Sequence, residues 1–105
     1  MSFKWPPKDP DELLDYSVDW SRWLGNASIL ICDWYVDDEN NNKVKIIPGQ
    51  VVNGIQNVSQ LISDKTVTIN LGLGTNNAEY KFYCQISTST GSIVERVIRI
   101  KIKEQ

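Results

Sequence analysis

The side chains that most often carry out chemistry are scarce in this chain. None of its 105 residues is histidine, so the commonest general base, metal ligand and pH switch is missing. Ser-His-Asp, Cys-His and histidine-based zinc sites are excluded with it. The two cysteines, Cys32 and Cys84, are too few for a four-cysteine zinc cage and too far apart for a redox pair of the C-x-x-C kind. Neither has a cation cluster nearby in sequence to lower its thiol pKa. Asp37, Asp38 and Glu39, followed by three asparagines, offer oxygen ligands for Ca²⁺. Asn42 and Pro48, however, stand where an EF-hand loop needs its glycine and its last carboxylate, so the run reads as a solvated hairpin turn. Gly72-Leu73-Gly74 has no P-loop lysine after it, and Asn77 replaces the third glycine of a dinucleotide fingerprint. It too reads as a turn. Asp15 and Asp19 share one face of an expected strand but lie roughly 13 Å apart there, beyond either carboxylate spacing of glycosidases. The expectation is a non-enzymatic chain without cofactor or metal.

The elements that would position a binding surface follow from composition and period. Hydrophobic residues at 41% and charged residues at 23% suit one globular domain with a modest core. A net charge of −2 argues against nucleic acid or anionic membrane as partner, since both require concentrated Lys and Arg. The opening Met1-Ser-Phe-Lys-Trp-Pro-Pro lacks the apolar stretch of a secretory signal, and no segment offers the roughly 20 apolar residues of a spanning helix. A protein made in a reducing cytoplasm is expected, with the sequons at Asn26 and Asn57 unglycosylated.

Residues 1–14 read as an extended, proline-rich, acidic arm. Pro6, Pro7 and Pro10 fix φ and bias the residues before them toward extended backbone. Across residues 1–20 two lysines face five carboxylates. One helical turn over 11–14, capped by Asp9 or Asp11, is the most helix the arm supports. Residues 15–105 read as the folded domain. Tyr16, Val18 and Trp20 alternate with polar residues, and a turn at 23–26 ends that strand. In the next strand, Leu30, Cys32, Trp34 and Val36 form the expected buried face. Val44–Ile47 is a short strand, the stretch from Val51 to Ile62 contains an Asn53-Gly54 turn, and Lys65–Leu71 alternates before a loop over 72–77. Tyr80, Phe82, Cys84 and Ile86 share one face of a later strand. Ile98, Ile100 and Ile102 face inward from the last strand, with Arg96 on the same parity.

Short alternating strands separated by turn residues indicate an antiparallel β-sandwich. Ala78-Glu79-Tyr80 has the pattern of a tyrosine corner, and Phe82 occupies the place of the second cysteine of antibody domains. The expected fold is an immunoglobulin-like or fibronectin-like sandwich of about seven strands, all-β. Tyr16, Trp20, Cys32, Trp34, Tyr80, Phe82 and Cys84 define its core. Cys32 and Cys84 come close in this arrangement, and a reducing compartment favours two buried thiols over a disulfide. Trp23 lies beside a turn. Trp5 has nothing local to bury it, so it either covers the chain's own sandwich or anchors a partner.

The stretch Lys8-Asp9-Pro10-Asp11-Glu12-Leu13-Leu14-Asp15-Tyr16-Ser17-Val18-Asp19-Trp20 resembles the K-D-P-x-x-x-x-D-Y-x-x-D-W opening of a family of small tailed-bacteriophage proteins. The resemblance continues through Asp33-Trp34-Tyr35-Val36, Leu71-Gly72-Leu73-Gly74-Thr75, Ile86-Ser87-Thr88-Ser89-Thr90-Gly91 and Arg96-Val97-Ile98-Arg99-Ile100, and so covers nearly the whole chain. Departures are the acidic, Asn-rich turn after Val36, the leucine between Gly72 and Gly74, and Ser92 in place of a basic residue. The resemblance implies a virion structural protein with an immunoglobulin-like fold, some members being fiber-tail adaptors. The partners it implies are tail, neck or fiber subunits in a symmetric, multi-copy assembly, with the chain residing in the tail or neck of the virion. On that reading the arm lies across a neighbouring subunit or adds a strand to it. Phe3 and Trp5 fill pockets, Pro6 and Pro7 stiffen the backbone, and Asp9, Asp11 and Asp15 pair with cations of the neighbour or with Arg22, while Trp23 adds a further contact. Deleting residues 1–10 is then expected to leave a folded domain that no longer joins particles. The other reading is a free cytoplasmic binding module, an assembly chaperone or host-factor inhibitor, that is absent from the finished particle.

Overall fold

Period-two alternation of apolar residues builds two sheets that face each other across one core. A computed structural model describes residues 2–104, with side chains described from Lys4 onward. In chain order the elements are β1 (Ser2–Lys4), β2 (Leu14–Asp19), α1 (Ser21–Leu24), β3 (Ile29–Asp37), β4 (Lys43–Lys45), β5 (Val51–Val52), β6 (Ile55–Ser63), β7 (Thr66–Leu73), β8 (Glu79–Thr88) and β9 (Ile93–Lys101). One sheet runs β1-β9-β8-β3-β4 and the other β2-β7-β6-β5. All pairings are antiparallel except β1 with β9. The result is an all-β sandwich.

The core comes from the inward parity of both sheets. Trp34, Val36, Phe82, Cys84, Ile86, Ile98 and Ile100 of the five-stranded sheet face Tyr16, Val18, Ile55, Val67, Ile69 and Leu71 of the other, and all are buried. Each such side chain contributes roughly 1.5–3 kcal/mol on leaving water. Arg96 shares their parity yet needs no buried anion, because its guanidinium lies 5.1 Å from the centre of the Trp20 ring at the end of the sandwich.

Several expectations need correction. Nine strands form among the described residues where about seven were expected; β1 and the two-residue β5 are ones that sequence alone did not mark. In β3 it is Ile29, not Leu30, that points inward. A bulge between Ile29 and Ile31 sets two residues against one on β8, which flips the parity upstream of Ile31 and leaves Leu30 exposed. The stretch after Pro10 is a turn and not a helix, since Leu14 already pairs with Leu71. The segment 23–26 begins as the short helix α1. Gly72 and Leu73 belong to β7 and not to a loop, because β6 pairs with both. Gly72 is fitted there by closeness: a Cβ would come within 2.7 Å of Leu13, whose side chain packs over it.

Two turns follow the expected chemistry. Asn53 and Gly54 have φ of 51° and 86°, the left-handed pair that a two-residue hairpin between β5 and β6 requires. In the acidic turn, Asp38 Oδ1 accepts the backbone N–H groups of Asn40 and Asn42 at 2.8 and 2.9 Å. Its carboxylate organises the hairpin itself.

Candidate functional site

The amino-terminal segment is extended, as its prolines dictate, but it runs along this chain's own sandwich. β1 lies parallel to β9 with Lys4 opposite Arg99. Beyond the strand, Trp5 N–H donates to the Arg99 carbonyl, Lys8 N–H to the Lys101 carbonyl, and Lys103 N–H back to the Lys8 carbonyl, at 2.8 to 3.0 Å. Trp5 is buried, which decides between the two roles open to it: it covers its own core. Its ring stacks on Tyr16 at 4.8 Å between centroids and tilts against Trp34 and Phe82 at 5.9 and 6.1 Å. As a partner's anchor it would first have to leave this cluster. Phe3, the other expected anchor, lies outside the residues whose side chains are described.

Lys8 was overlooked as a structural residue, because a lysine in an acidic, proline-rich segment reads as solvated. It is fully buried. Its ammonium donates to the Leu73 carbonyl at 2.6 Å and to the Asp9 carbonyl at 2.8 Å. Burial lowers its pKa, and Glu12, Asp9 and Asp11 pull it partly back up. The next residues close a turn around it: Asp9 Oδ1 accepts Asp11 N–H, Glu12 Oε1 accepts Asp9 N–H, and Glu12 N–H donates to the Asp9 carbonyl. Lys8-Asp9-Pro10 is therefore a clamp joining the segment to the end of β7, where the β7–β8 connection begins. That connection is equally constrained. Gly74 has φ of 112°, and a Cβ there would sit 2.9 Å from Ile102, so glycine is demanded by both backbone and space. Gly72-x-Gly74 is a packing motif.

At the far side of this connection Tyr80 is buried, and its hydroxyl donates to the Asn53 carbonyl at 2.7 Å while accepting Thr75 N–H at 3.0 Å. This is the hydrogen bonding back to the preceding loop that Ala78-Glu79-Tyr80 leads one to expect. Tyr80→Phe removes both bonds, and urea unfolding is expected to show a loss of about 1–3 kcal/mol. A midpoint equal to that of the wild type would mean that water replaces both bonds.

Cys32 and Cys84 come together as expected, buried on β3 and β8 with sulfurs 3.8 Å apart, and both are free thiols. The hydrogen bond with Cys32, reinforced by burial, pushes the Cys84 thiol far above the usual range. Such a group is no nucleophile near neutral pH. Among the described residues no three histidine, cysteine or carboxylate side chains converge to hold a metal, and no helix is long and apolar enough to cross a membrane.

Of the other residues singled out for binding, Pro6, Pro7, Asp11 and Trp23 are exposed. Pro6 offers its carbonyl to the Tyr16 hydroxyl at 3.4 Å, and Asp9 belongs to the turn just described. Trp23 stands edge-on to Trp20 with its own ring 44% exposed. Asp15, cast as a pairing carboxylate, accepts a hydrogen bond from Asn70 at 2.7 Å across β2 and β7. Asp19 accepts the Ser21 N–H, which lowers its pKa. The outer face of the five-stranded sheet carries a feature that no sequence window showed. Lys43 lies 4.8 Å from the ring centres of both Tyr35 and Tyr83 and pairs with Glu95, and the Tyr83 hydroxyl donates to Asp37 at 2.8 Å. Residues 40 to 52 apart in sequence meet here only through strand register.

Burial, and then Glu12, raise the Tyr16 phenol to about 12; burial, and then the bond to Asp37, raise Tyr83 to about 12. A phenol whose folded pKa exceeds its unfolded value near 10 keeps its stabilising contribution below pH 10 and loses it as pH climbs through 10 to 12. Two of the four tyrosines should therefore ionise late, with phenolate absorbance and loss of ellipticity rising together toward pH 12. Ionisation of Tyr16 and Tyr83 near pH 10 in a folded chain would contradict this.

The clamp, the hydrogen bonds of Tyr80 and the buried Trp20 and Trp34 lie within the stretch matched by a protein-family model. That model, described as podophage GP4 fiber-tail adaptor protein gp77, matches residues 8–101. No curated protein matches the chain. The match begins at Lys8 and ends at the last residue of β9, spanning the clamp and every strand from β2 onward, and the chain belongs to the podophage fiber-tail adaptor family.

Proposed function

We propose that the chain is a non-enzymatic link in the virion that joins tail and fiber proteins through the surface of its sandwich. The observation that carries this is membership of the adaptor family over residues 8–101. The chemistry agrees: the chain has no histidine, and its two thiols are buried against each other. The immunoglobulin-like character of the sandwich is part of the same reading, supported by the hydrogen bonds of Tyr80 and by buried Trp34 on β3. Pro6, Pro7, Asp11 and Trp23 are the residues of the original set that face outward to a partner, whereas Trp5 acts indirectly by fixing the segment that carries them. Quantitative mass spectrometry of purified virions tests the role. A fixed copy number alongside the tail proteins is expected; abundance in the infected-cell lysate with absence from the particle would replace the adaptor with a free binding module.

A further inference from the structure

One side of the sandwich is left open by both sheets. β4 pairs with β3 only from Tyr35 to Asp37, and the chain makes one more bond, from Ile46 N–H to the Trp34 carbonyl, before Pro48. On the other sheet β5 pairs only with Ile55 and Gln56, and residues 49 and 50 bond to Asn57. Below these points, among the described residues, no strand pairs with the outer edge of β3 over 30–33 or of β6 over 59–63. The two free edges flank one cleft lined by Cys32, Trp34, Gln60, Leu61 and Ile62.

The residues at this opening are unusually apolar for a surface. Leu30 and Ile31 on the β3 side are 62% and 57% exposed, and Leu61 and Ile62 on the β6 side are 62% and 37% exposed. Ile62 has the inward parity of its partner Val67 and still reaches solvent, because nothing covers the wall. Among the described residues a side chain meets the free edge: Gln60 Nε2 donates to the Cys32 carbonyl at a long 3.3 Å. An unpaired strand edge between apolar rows, with no lysine or proline within residues 30–33 or 59–63, is a template for another strand.

Resting on the adaptor reading, we infer that this groove receives an extended segment of a virion partner, added to the free edge of β3 and carrying branched aliphatic side chains toward Leu30, Ile31, Leu61 and Ile62. Backbone groups along β3 ask for main-chain bonds in alternation, which an extended strand supplies and a helix or flat surface does not. Apolar rows on both flanks set the chemistry of its side chains. A second copy of this chain fits poorly. Antiparallel pairing of two β3 edges about Cys32 sets Asp33 of each copy against Ile31 of the other, and centring on Ile31 sets it against Ile29. Asp33 also faces Lys45 at 3.7 Å, a pair such a dimer would bury.

The test uses phage carrying Ile31→Lys with Leu61→Lys. Both positions are exposed, so the purified double variant should melt with the wild type. Its copies per virion should fall about ten-fold or more, the scale of losing one interface anchor. A parallel phage carries p-benzoylphenylalanine in place of Leu61, and irradiated virions should show this chain cross-linked to a different virion protein. Wild-type copy number in the folded double variant overturns the inference while leaving the adaptor role intact, as does a cross-link to a second copy of this chain. Absence of the wild-type chain from virions removes the adaptor role and this partner together.

Discussion

Replacing Trp5 by alanine is expected to cost the folded chain about 3–5 kcal/mol, the usual range for emptying a buried tryptophan site. That is a large fraction of what a domain of this size has to lose. The ring is the contact between the amino-terminal segment and the core, stacked on Tyr16 and flanked by Trp34 and Phe82. Chemical denaturation of Trp5→Ala should show a lower midpoint with near-field aromatic ellipticity weakened even before unfolding. Deleting residues 1–8 should do more, because it also strips β9 of its parallel partner and removes Lys8 from under the β7–β8 connection. This reverses the expectation that residues 1–10 form an arm that folding of the domain does not need. A truncated chain with the wild-type midpoint would restore the arm.

Lys8 is expected to give the second large effect, and here two terms compete. Burying an ammonium is costly, and the lowered pKa records that cost. Against it stand the bonds to the Leu73 and Asp9 carbonyls, 2.6 and 2.8 Å away, and three carboxylates that pull the pKa back. The bonds should win. Lys8→Met keeps the volume of the stem and removes the ammonium's bonds to the carbonyls of Leu73 and Asp9, a loss of about 1–3 kcal/mol. Lys8→Ala should lose more, since each buried methylene adds about 0.8 kcal/mol. The pH dependence separates charge from packing. Because the folded pKa lies below the unfolded value of 10.5, the folded state releases its proton first. The wild type should then gain on Lys8→Met as pH rises toward 10.5, while the losses from Tyr16 and Tyr83 fall on both proteins alike. Urea midpoints of the pair measured from neutral pH to 10 give the comparison; a gap independent of pH would mean the ammonium feels no burial.

Much of the sandwich was legible because strands with one buried face write their pattern at period two. The runs Tyr80 to Ile86 and Ile98 to Ile102 could be assigned to the core residue by residue, and each is buried. Tyr80 announced its hydrogen bond through the residues before it, and the pairing of the two cysteines followed from the parity of two strands. Leu30 was misread because a bulge costs one residue of register and leaves no mark on composition. β5 was missed because two residues carry no period at all.

The candidate surfaces were less readable, for a different reason. Trp5 and Lys8 sit in a segment whose sequence says only that it is extended; whether an extended segment projects or docks depends on what lies beside it in space. The edge of β9 lies beside it here, nearly a hundred residues along the chain. The open groove is likewise defined by where β4 and β5 stop pairing, and the Lys43, Tyr35 and Tyr83 cluster by the register of β3, β4 and β8. By itself the sequence determined the all-β class, the parity of most core residues, the lack of histidine chemistry and the resemblance to a family of tailed-phage proteins, since these depend on local order and residue type. The tertiary structure alone decided which residues were left for a partner. It buried Trp5 and Lys8 and exposed Leu30 and Ile62, because an edge is free or filled only once every strand has found its neighbour.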